Sequence, residues 1–269
     1  MSRNRYITSS RGGTGGSIVR GNVIYTTIGG MVGGNNTQQG LEKVSTTKVY
    51  DLGTRLVSPD GCVYRYALAS GSVISHRGAV CPSGSLNDWT TVVASGVVGA
   101  KSISVTLDSR VVDDLKGGYI VLHPNNTSSN DNTMNRKITG NDVTVGGVTK
   151  VYFEPGLSHA MTTGSDVVDV FENPYNAVYY GTSTELASVV GIPMISTTSG
   201  NYLWIQTWGP CLICTGETFS VGVDQREVVF GGNQTIMMLD SSEEYRQRAG
   251  FIIDQGSGPA PLIMLQISP

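Results

Sequence analysis

Charge is scarce in this chain. Asp, Glu, Lys and Arg together make up 14% of its 269 residues, against about 25% in an ordinary soluble domain. So thin a polar coat is a weakness for a free monomer and tilts the reading toward a surface that neighbours cover. The balance is also close to neutral, with a formal net charge of −3. That removes the broad basic surface that nucleic-acid binding needs. The four cysteines, Cys62, Cys81, Cys211 and Cys214, are too few and too dispersed for a disulfide framework. They are expected to be free, mostly buried thiols in a reducing compartment. No charged start leads into an apolar core as a secretory signal would require. No apolar run approaches the roughly 20 residues that span a bilayer. The expectation is a protein made in a cytoplasm, with neither membrane nor nucleic acid as a partner.

The motifs of catalysis are equally sparse. There is no Gly-x-Ser-x-Gly elbow, no P-loop and no Gly-x-Gly-x-x-Gly after a strand. His76, His123 and His159 are scattered and read as structural. Cys211-Leu212-Ile213-Cys214 has metal-ligand spacing, but a structural zinc site needs a second pair of ligands. On a strand, residues three apart point to opposite faces, so core cysteines are the simpler reading. The loop Asn125–Asn135 is rich in side-chain oxygens but holds a single carboxylate, Asp131, too little for a calcium loop. The acid pairs Asp113-Asp114, Asp166/Asp169 and Glu243-Glu244 leave a polysaccharide-cleaving reading open. The expectation is a non-enzyme with no cofactor and no metal.

What the chain has instead is glycine, 35 residues, close to twice the usual share of about 7%. It also has short apolar runs between turns. Residues 1–48 read as an extended arm, punctuated by Gly12-Gly13, Gly15-Gly16, Gly29-Gly30 and Gly33-Gly34. Its first twenty positions carry Arg3, Arg5, Arg11 and Arg20 and no acid, and Ile18–Thr27 can pair as a strand. Residues 49–97 read as a hairpin and linker. Leu52–Val57 and Cys62–Leu68 are its strands, around the turn Ser58-Pro59-Asp60-Gly61. The hairpin's place between arm and body suggests a hinge, and Tyr64 and Tyr66 give it an aromatic face.

Residues 98–175 and 176–269 read as two further β blocks, with a strand every 8–15 residues, as in a sandwich or barrel. Capping boxes suggest short helices at Ser183–Val190 and Ser242–Arg248. Tyr202–Trp208 alternates, which puts Tyr202, Trp204, Gln206 and Trp208 on one face. Gly209-Pro210 then reads as a turn and Cys211–Cys214 as a return strand. The fold class is mainly β: an extended N-terminal arm followed by a sandwich- or barrel-like body with one or two short helices.

Two segments resemble a known family. Asp51-Leu52-Gly53-Thr54-Arg55, then Asp60-Gly61 and Val63-Tyr64-Arg65-Tyr66-Ala67, resemble the "LGT…DG…YRYA" segment of tailed-bacteriophage capsid decoration (cement) proteins. Tyr202, Trp204, Gln206 and Gly209 are similar to that group's "G-Y-x-W-V-Q-x-x-G-P" strand. Here Gly200 is followed by Asn201, and residues 98–175 have no counterpart, so that block is an inserted β domain or a projecting head.

The resemblance implies a β-tulip-like body and no catalysis. It implies a virion protein, on the capsid exterior, that binds the major capsid protein, often as a homotrimer, and stabilises the shell by non-covalent cross-linking. The arm residues Arg3, Arg5, Arg11, Ile18, Arg20, Ile24 and Tyr25 would then bind capsid. Tyr64, Tyr66, Tyr202, Trp204 and Trp208 would form the body core or the trimer interface. A head-fibre or tail-spike protein that binds host-surface glycans is the alternative.

Overall fold

The computed structural model describes residues 6–7, 17–20, 23–26, 39–81, 87–126, 132–181, 188–216, 226–239, 245–255 and 260–269. It is a mainly β protein of two compact units. One joins residues 1–83 to 174–269, and the other is residues 84–173.

The first unit opens with β1 (Tyr6–Ile7), β2 (Ser17–Arg20) and β3 (Val23–Thr26). These are followed by β4 (Arg55–Val57), β5 (Val63–Leu68) and β6 (Ala79–Val80). The chain then builds the second unit from β7 (Asn87–Ala94), β8 (Ser102–Thr106) and β9 (Tyr119–His123), and from β10 (Met134–Asn141), β11 (Val148–Glu154) and β12 (Val167–Phe171). It returns to the first unit with β13 (Val189–Pro193), β14 (Tyr202–Leu212), β15 (Glu227–Phe230), β16 (Ile236–Met238), β17 (Arg248–Asp254) and β18 (Leu262–Gln266).

The second unit is a closed, antiparallel six-stranded barrel in the order β10-β11-β8-β7-β12-β9. Closure leaves no free sheet edge. Alternation along β8, β10 and β11 sends Ile103, Val105, Ile138, Val151 and Phe153 inward, where they pack with Leu115, Ile120 and Leu122 into one filled core. The sequence boundary at 98 was too late, because β7 is a wall of the barrel, paired to both β12 and β8. Val143–Val145 is not a strand. Val145-Gly146-Gly147-Val148 is a tight hairpin turn closed by reciprocal main-chain bonds of 3.0 and 3.1 Å. Both glycines have positive φ, 59° and 77°, which this turn type requires.

The first unit is organised on one sheet in the order β1-β2-β3-β4-β5-β14-β18-β17-β15-β16, with β13 and β6 joined to β14 off that path. The 51–69 hairpin is therefore neither linker nor hinge. Its return strand, β5, lies beside β14, the longest strand, with Trp204 directly opposite Tyr66. The turn itself is as expected: Gly61 N–H donates to Ser58 O at 3.0 Å.

β14 runs straight through Gly209-Pro210, where the sequence suggests a turn. Gly209 has φ +100°, and a Cβ there would stand 2.8 Å from Cys62 Sγ. Pro210 O accepts from Gln206 Nε2 at 2.9 Å, on the side where β5 has already ended. Its missing N–H therefore costs the β18 ladder nothing.

Where the two expected helices fall on described residues, the chain is not helical. Val189 and Val190 belong to β13 and Arg248 to β17, while 183–187 and 242–244 lie outside the described residues. β-branched side chains and two flanking strands outweigh a local capping signal. The described helical turns are short 3-10 turns at Pro124–Asn126 and Gly232–Gln234. No helix among the described residues is long and apolar enough to cross a membrane.

Candidate functional site

The sheet of the first unit has two faces with different fates. One is packed from β4 across β5 and β14 to β18. There Leu56, Tyr64, Tyr66 and Trp204 form an aromatic cluster, continued by a second cluster containing Cys211, Ile213, Ile263 and Leu265. Tyr50, Tyr66, Tyr202 and Trp204 pack ring against ring, with centroids 5.0–5.8 Å apart. Segment 39–50 lies over this cluster, and Gln39 secures it. Its Nε2 donates to Tyr202 O at 2.6 Å and to Lys43 O at 2.7 Å, and its Oε1 accepts from the Tyr66 hydroxyl at 2.6 Å. Residues 39–48 thus belong to the body and not to the arm.

The opposite face is covered only in part. Around β5 and the start of β14, Ala67, Leu203 and Ile205 are capped by Val73, Ala79 and Val178. Beyond Thr207 the cover ends among the described residues. Phe251 on β17 faces Met264 on β18, which faces Pro210 on β14, and in the next row Leu262 faces Leu212. Phe251 is 42% exposed, Leu212 45%, Ile253 40% and Leu262 38%. An apolar row across three adjacent strands is more than the scattered exposed residue that any surface tolerates. Contiguous patches of this kind mark interaction surfaces.

A bulge at Thr207 decides where Trp208 goes. Gln206 pairs with Tyr64 but Trp208 pairs with Val63, one residue out of step. Trp208 therefore leaves the aromatic face and stands half-buried at the margin of the open one, beside Gln266. Of the five aromatic residues named from sequence, Tyr66 and Trp204 are wholly buried, Tyr64 nearly so, and Tyr202 half-buried on the same cluster. Trp208 does not join them.

Of the arm residues, Arg3, Arg5 and Arg11 lie outside the described residues. Ile18 and Arg20 are on β2, and Ile24 and Tyr25 are on β3. The two strands pair as a hairpin, with Ile18 opposite Tyr25. β3 runs parallel to β4, with Ile24 opposite Leu56. The arm's strand reading thus has a partner inside its own chain, the edge of the body sheet.

Of the groups weighed for catalysis, Glu243 and Glu244 lie outside the described residues, and the others are held in structure. His123 Nε2 is 2.9 Å from Asp169 Oδ2. Asp166 accepts the main-chain N–H groups of Asn125 and Thr162 at 2.9 and 2.7 Å. Arg110 lies between Asp114 and Glu172, at 3.3 and 3.2 Å. His76 is half-buried at positive φ, and exposed His159 lies 3.3 Å from Ser158.

Burial pushes the Cys211 thiol up to about 12, with Cys62 adding to the effect. Burial and the neighbouring Asp60 carboxylate push Cys62 to about 11. Such thiols are inert at neutral pH. Among the described residues no group of three or more His, Cys, Asp or Glu is placed to hold a metal ion.

No family model, curated protein or solved structure matches this chain.

The open face is the feature that sequence reasoning missed. In LIMLQI every residue but one is apolar, so alternation does not reveal which side is covered. Only the pairing of Leu262 with Leu212 and of Met264 with Phe251 separates the exposed set from the buried one.

Proposed function

We propose that this chain is a structural virion protein of the capsid decoration type. It docks on the exterior of a phage capsid, contacts the major capsid protein and, as a homotrimer, ties neighbouring subunits together without covalent bonds. The observation that carries the reading is the open apolar row of Leu212, Phe251, Leu262 and Met264 on an otherwise packed β body. Burying such a face against a neighbour supplies roughly 25 cal/mol per Å² of apolar surface, and repetition over a lattice multiplies weak contacts through effective concentration. The two segments that resemble decoration proteins support it as well, since they fold as the adjacent strands β4, β5 and β14.

The glycan-binding fibre or spike is the competing reading; of the two β14 tryptophans that could offer a sugar a ring, Trp204 is completely buried and Trp208 is half-buried. The test is co-sedimentation of the purified chain with expanded phage heads that lack it, followed by image reconstruction. Saturable binding at fixed lattice positions is expected. Labelling at the tail tip, or no binding to heads, overturns the proposal.

A further inference from the structure

Tyr119 on β9 stands directly opposite Phe171 on β12 on one side and Lys137 on β10 on the other. Their sequence neighbours Ile120, Val170 and Ile138 point into the barrel core, so this row of three lies on the outer wall. Tyr119 is 43% exposed and Phe171 38%, and Lys137 is exposed. Aromatic side chains placed opposite each other normally stabilise a sheet by packing ring on ring. These two do not: neither packs on another aromatic ring among the described residues. Both rings, rooted in a rigid strand ladder, keep surface open to a ligand.

Lys137 is open as well. Its cross-strand neighbour Glu154 on β11 is taken by Lys101, at 2.7 Å. Lys137 itself forms no ion pair with a carboxylate among the described residues. The next outward row is Asn135, Val121 and Asp169. Asn135 is exposed, and its amide carries both donors and an acceptor. Asp169 is fixed by His123 Nε2 at 2.9 Å. The wall thus spans two strand spacings, about 10 Å. It has an aromatic end, a cationic end and a second row that can hydrogen-bond.

Each feature narrows the ligand. A purely apolar partner would strip water from Lys137 and Asp169 and give nothing back. A small free anion would leave both rings uncovered. A pyranose sugar has a C–H face for an aromatic ring and hydroxyls that donate and accept. A hexuronic acid adds a carboxylate for the lysine ammonium.

We propose that Tyr119, Phe171, Lys137, Asn135 and Asp169 form a binding site for a hexuronic-acid residue of a polysaccharide. The rings take the C–H face, Lys137 takes the carboxylate, and Asn135 and Asp169 take hydroxyls. Asp169 stands two strands away from Lys137, so it does not compete for the ammonium. The site is built wholly from the barrel and does not depend on what the first unit docks on.

The test uses the full chain and methyl β-D-glucuronide as probe, followed by NMR through the main-chain amides of Tyr119, Lys137 and Phe171 at constant ionic strength. The three signals are expected to shift together and saturably at millimolar sugar. Methyl β-D-glucoside, which lacks the carboxylate, is expected to bind about tenfold or more weakly, the loss of one charge-assisted bond. Acetate is expected to leave the signals in place. Lys137→Met should abolish the preference for the glucuronide and leave glucoside binding unchanged. Tyr119→Ala and Phe171→Ala should each weaken both sugars by about tenfold. Should Phe171→Ala unfold, Tyr119→Ala and Lys137→Met carry the test.

No saturable shift in the millimolar range overturns the site. So does an equal response to the glucoside, or an equal response to acetate, which would make Lys137 a general anion contact. Unchanged binding in Tyr119→Ala overturns it too. If no sugar binds and Tyr119→Ala weakens binding to expanded heads, the row is a protein contact and the sugar reading falls. If the glucuronide binds and heads do not, the sugar site stands and the capsid reading falls.

Discussion

The indole N–H of Trp204 donates to the main-chain oxygen of Gln39, 165 residues away in sequence, at 3.0 Å. This bond joins the start of the longest strand to the segment that covers it. The Gln39 side chain completes the clasp through Tyr66, Tyr202 and Lys43. Gln39→Ala keeps the main-chain acceptor for Trp204 but takes the acceptor from a buried hydroxyl. We expect a loss of about 1–3 kcal/mol, read from urea unfolding. A change below about 0.5 kcal/mol would mean that segment 39–50 is not held to the aromatic cluster.

Trp204 and Trp208 are four residues apart and read as equivalent in the sequence, yet the bulge at Thr207 separates them. Trp204 is fully buried, and Trp204→Ala is expected to cost about 3–5 kcal/mol. Trp208 is half-buried on the other face, and Trp208→Ala is expected to cost about 1 kcal/mol, a typical value for a site without a cavity penalty. Equal losses in denaturant unfolding would show that the alternation runs on unbroken.

The contrast shows what was legible. The β class, the turn at Ser58–Gly61 and the burial of Tyr66 and Trp204 follow from local pattern, because turn chemistry and period-2 alternation are short-range. The bulge at Thr207 is invisible because it is set by the offset between β5 and β14, not by Thr207 itself. The barrel's closure by β7 and β12, the pairing of Tyr119 with Phe171 and the open face of β17 and β18 are facts of register between distant strands. Gly209-Pro210 misled for the same reason. Locally it is a turn dipeptide, and only the end of β5 beside it lets it continue a strand.

The buried thiols make stability fall in alkali. Cys62 and Cys211 are raised from 9.0 to about 11 and about 12 by burial and, secondarily, by Asp60 beside Cys62 and by Cys62 beside Cys211. Below pH 9 both states hold the protons and the contribution is complete. Above it the unfolded thiols ionise first, so the folded state binds more protons and its stability drops as pH rises toward 11. Urea midpoints measured from pH 8 to 11 should fall less steeply in a Cys62→Ala, Cys211→Ala double variant than in the parent. Parallel profiles would show that the thiols are not protected.

Truncation of the arm has a defined safe limit. Removing residues 2–38 leaves Gln39 in place but takes β1–β3 from the sheet edge beside β4, so the body should stay folded with a loss of about 1–3 kcal/mol in urea unfolding, confined to that edge. Removing 2–48 also strips Gln39 and leaves the Trp204 indole and the Tyr66 hydroxyl without their acceptors. That truncation should cost several kcal/mol, about 1–3 for each orphaned group. If both truncations behave alike, the clasp is not what holds the covering segment.

The open face can be changed without touching the core. Phe251 and Leu212 are 42% and 45% exposed, and their neighbours on the same strands, Ile252 and Cys211, carry the packing on the other side. A Phe251→Lys, Leu212→Lys double variant should therefore keep its unfolding midpoint within the roughly ±0.5 kcal/mol of ordinary surface changes. Two charges placed in an apolar contact would have to be buried unpaired against a partner, which costs far more than the lost apolar area. Co-sedimentation with expanded heads should be lost, and sedimentation of the free chain, expected to report trimers for the parent, should report monomers for the variant. If the variant binds heads as the parent does while the 2–38 truncation does not, the arm and not the face makes the contact. If both bind, neither element docks the protein. If the variant unfolds, the face is internal to the fold rather than open to a partner.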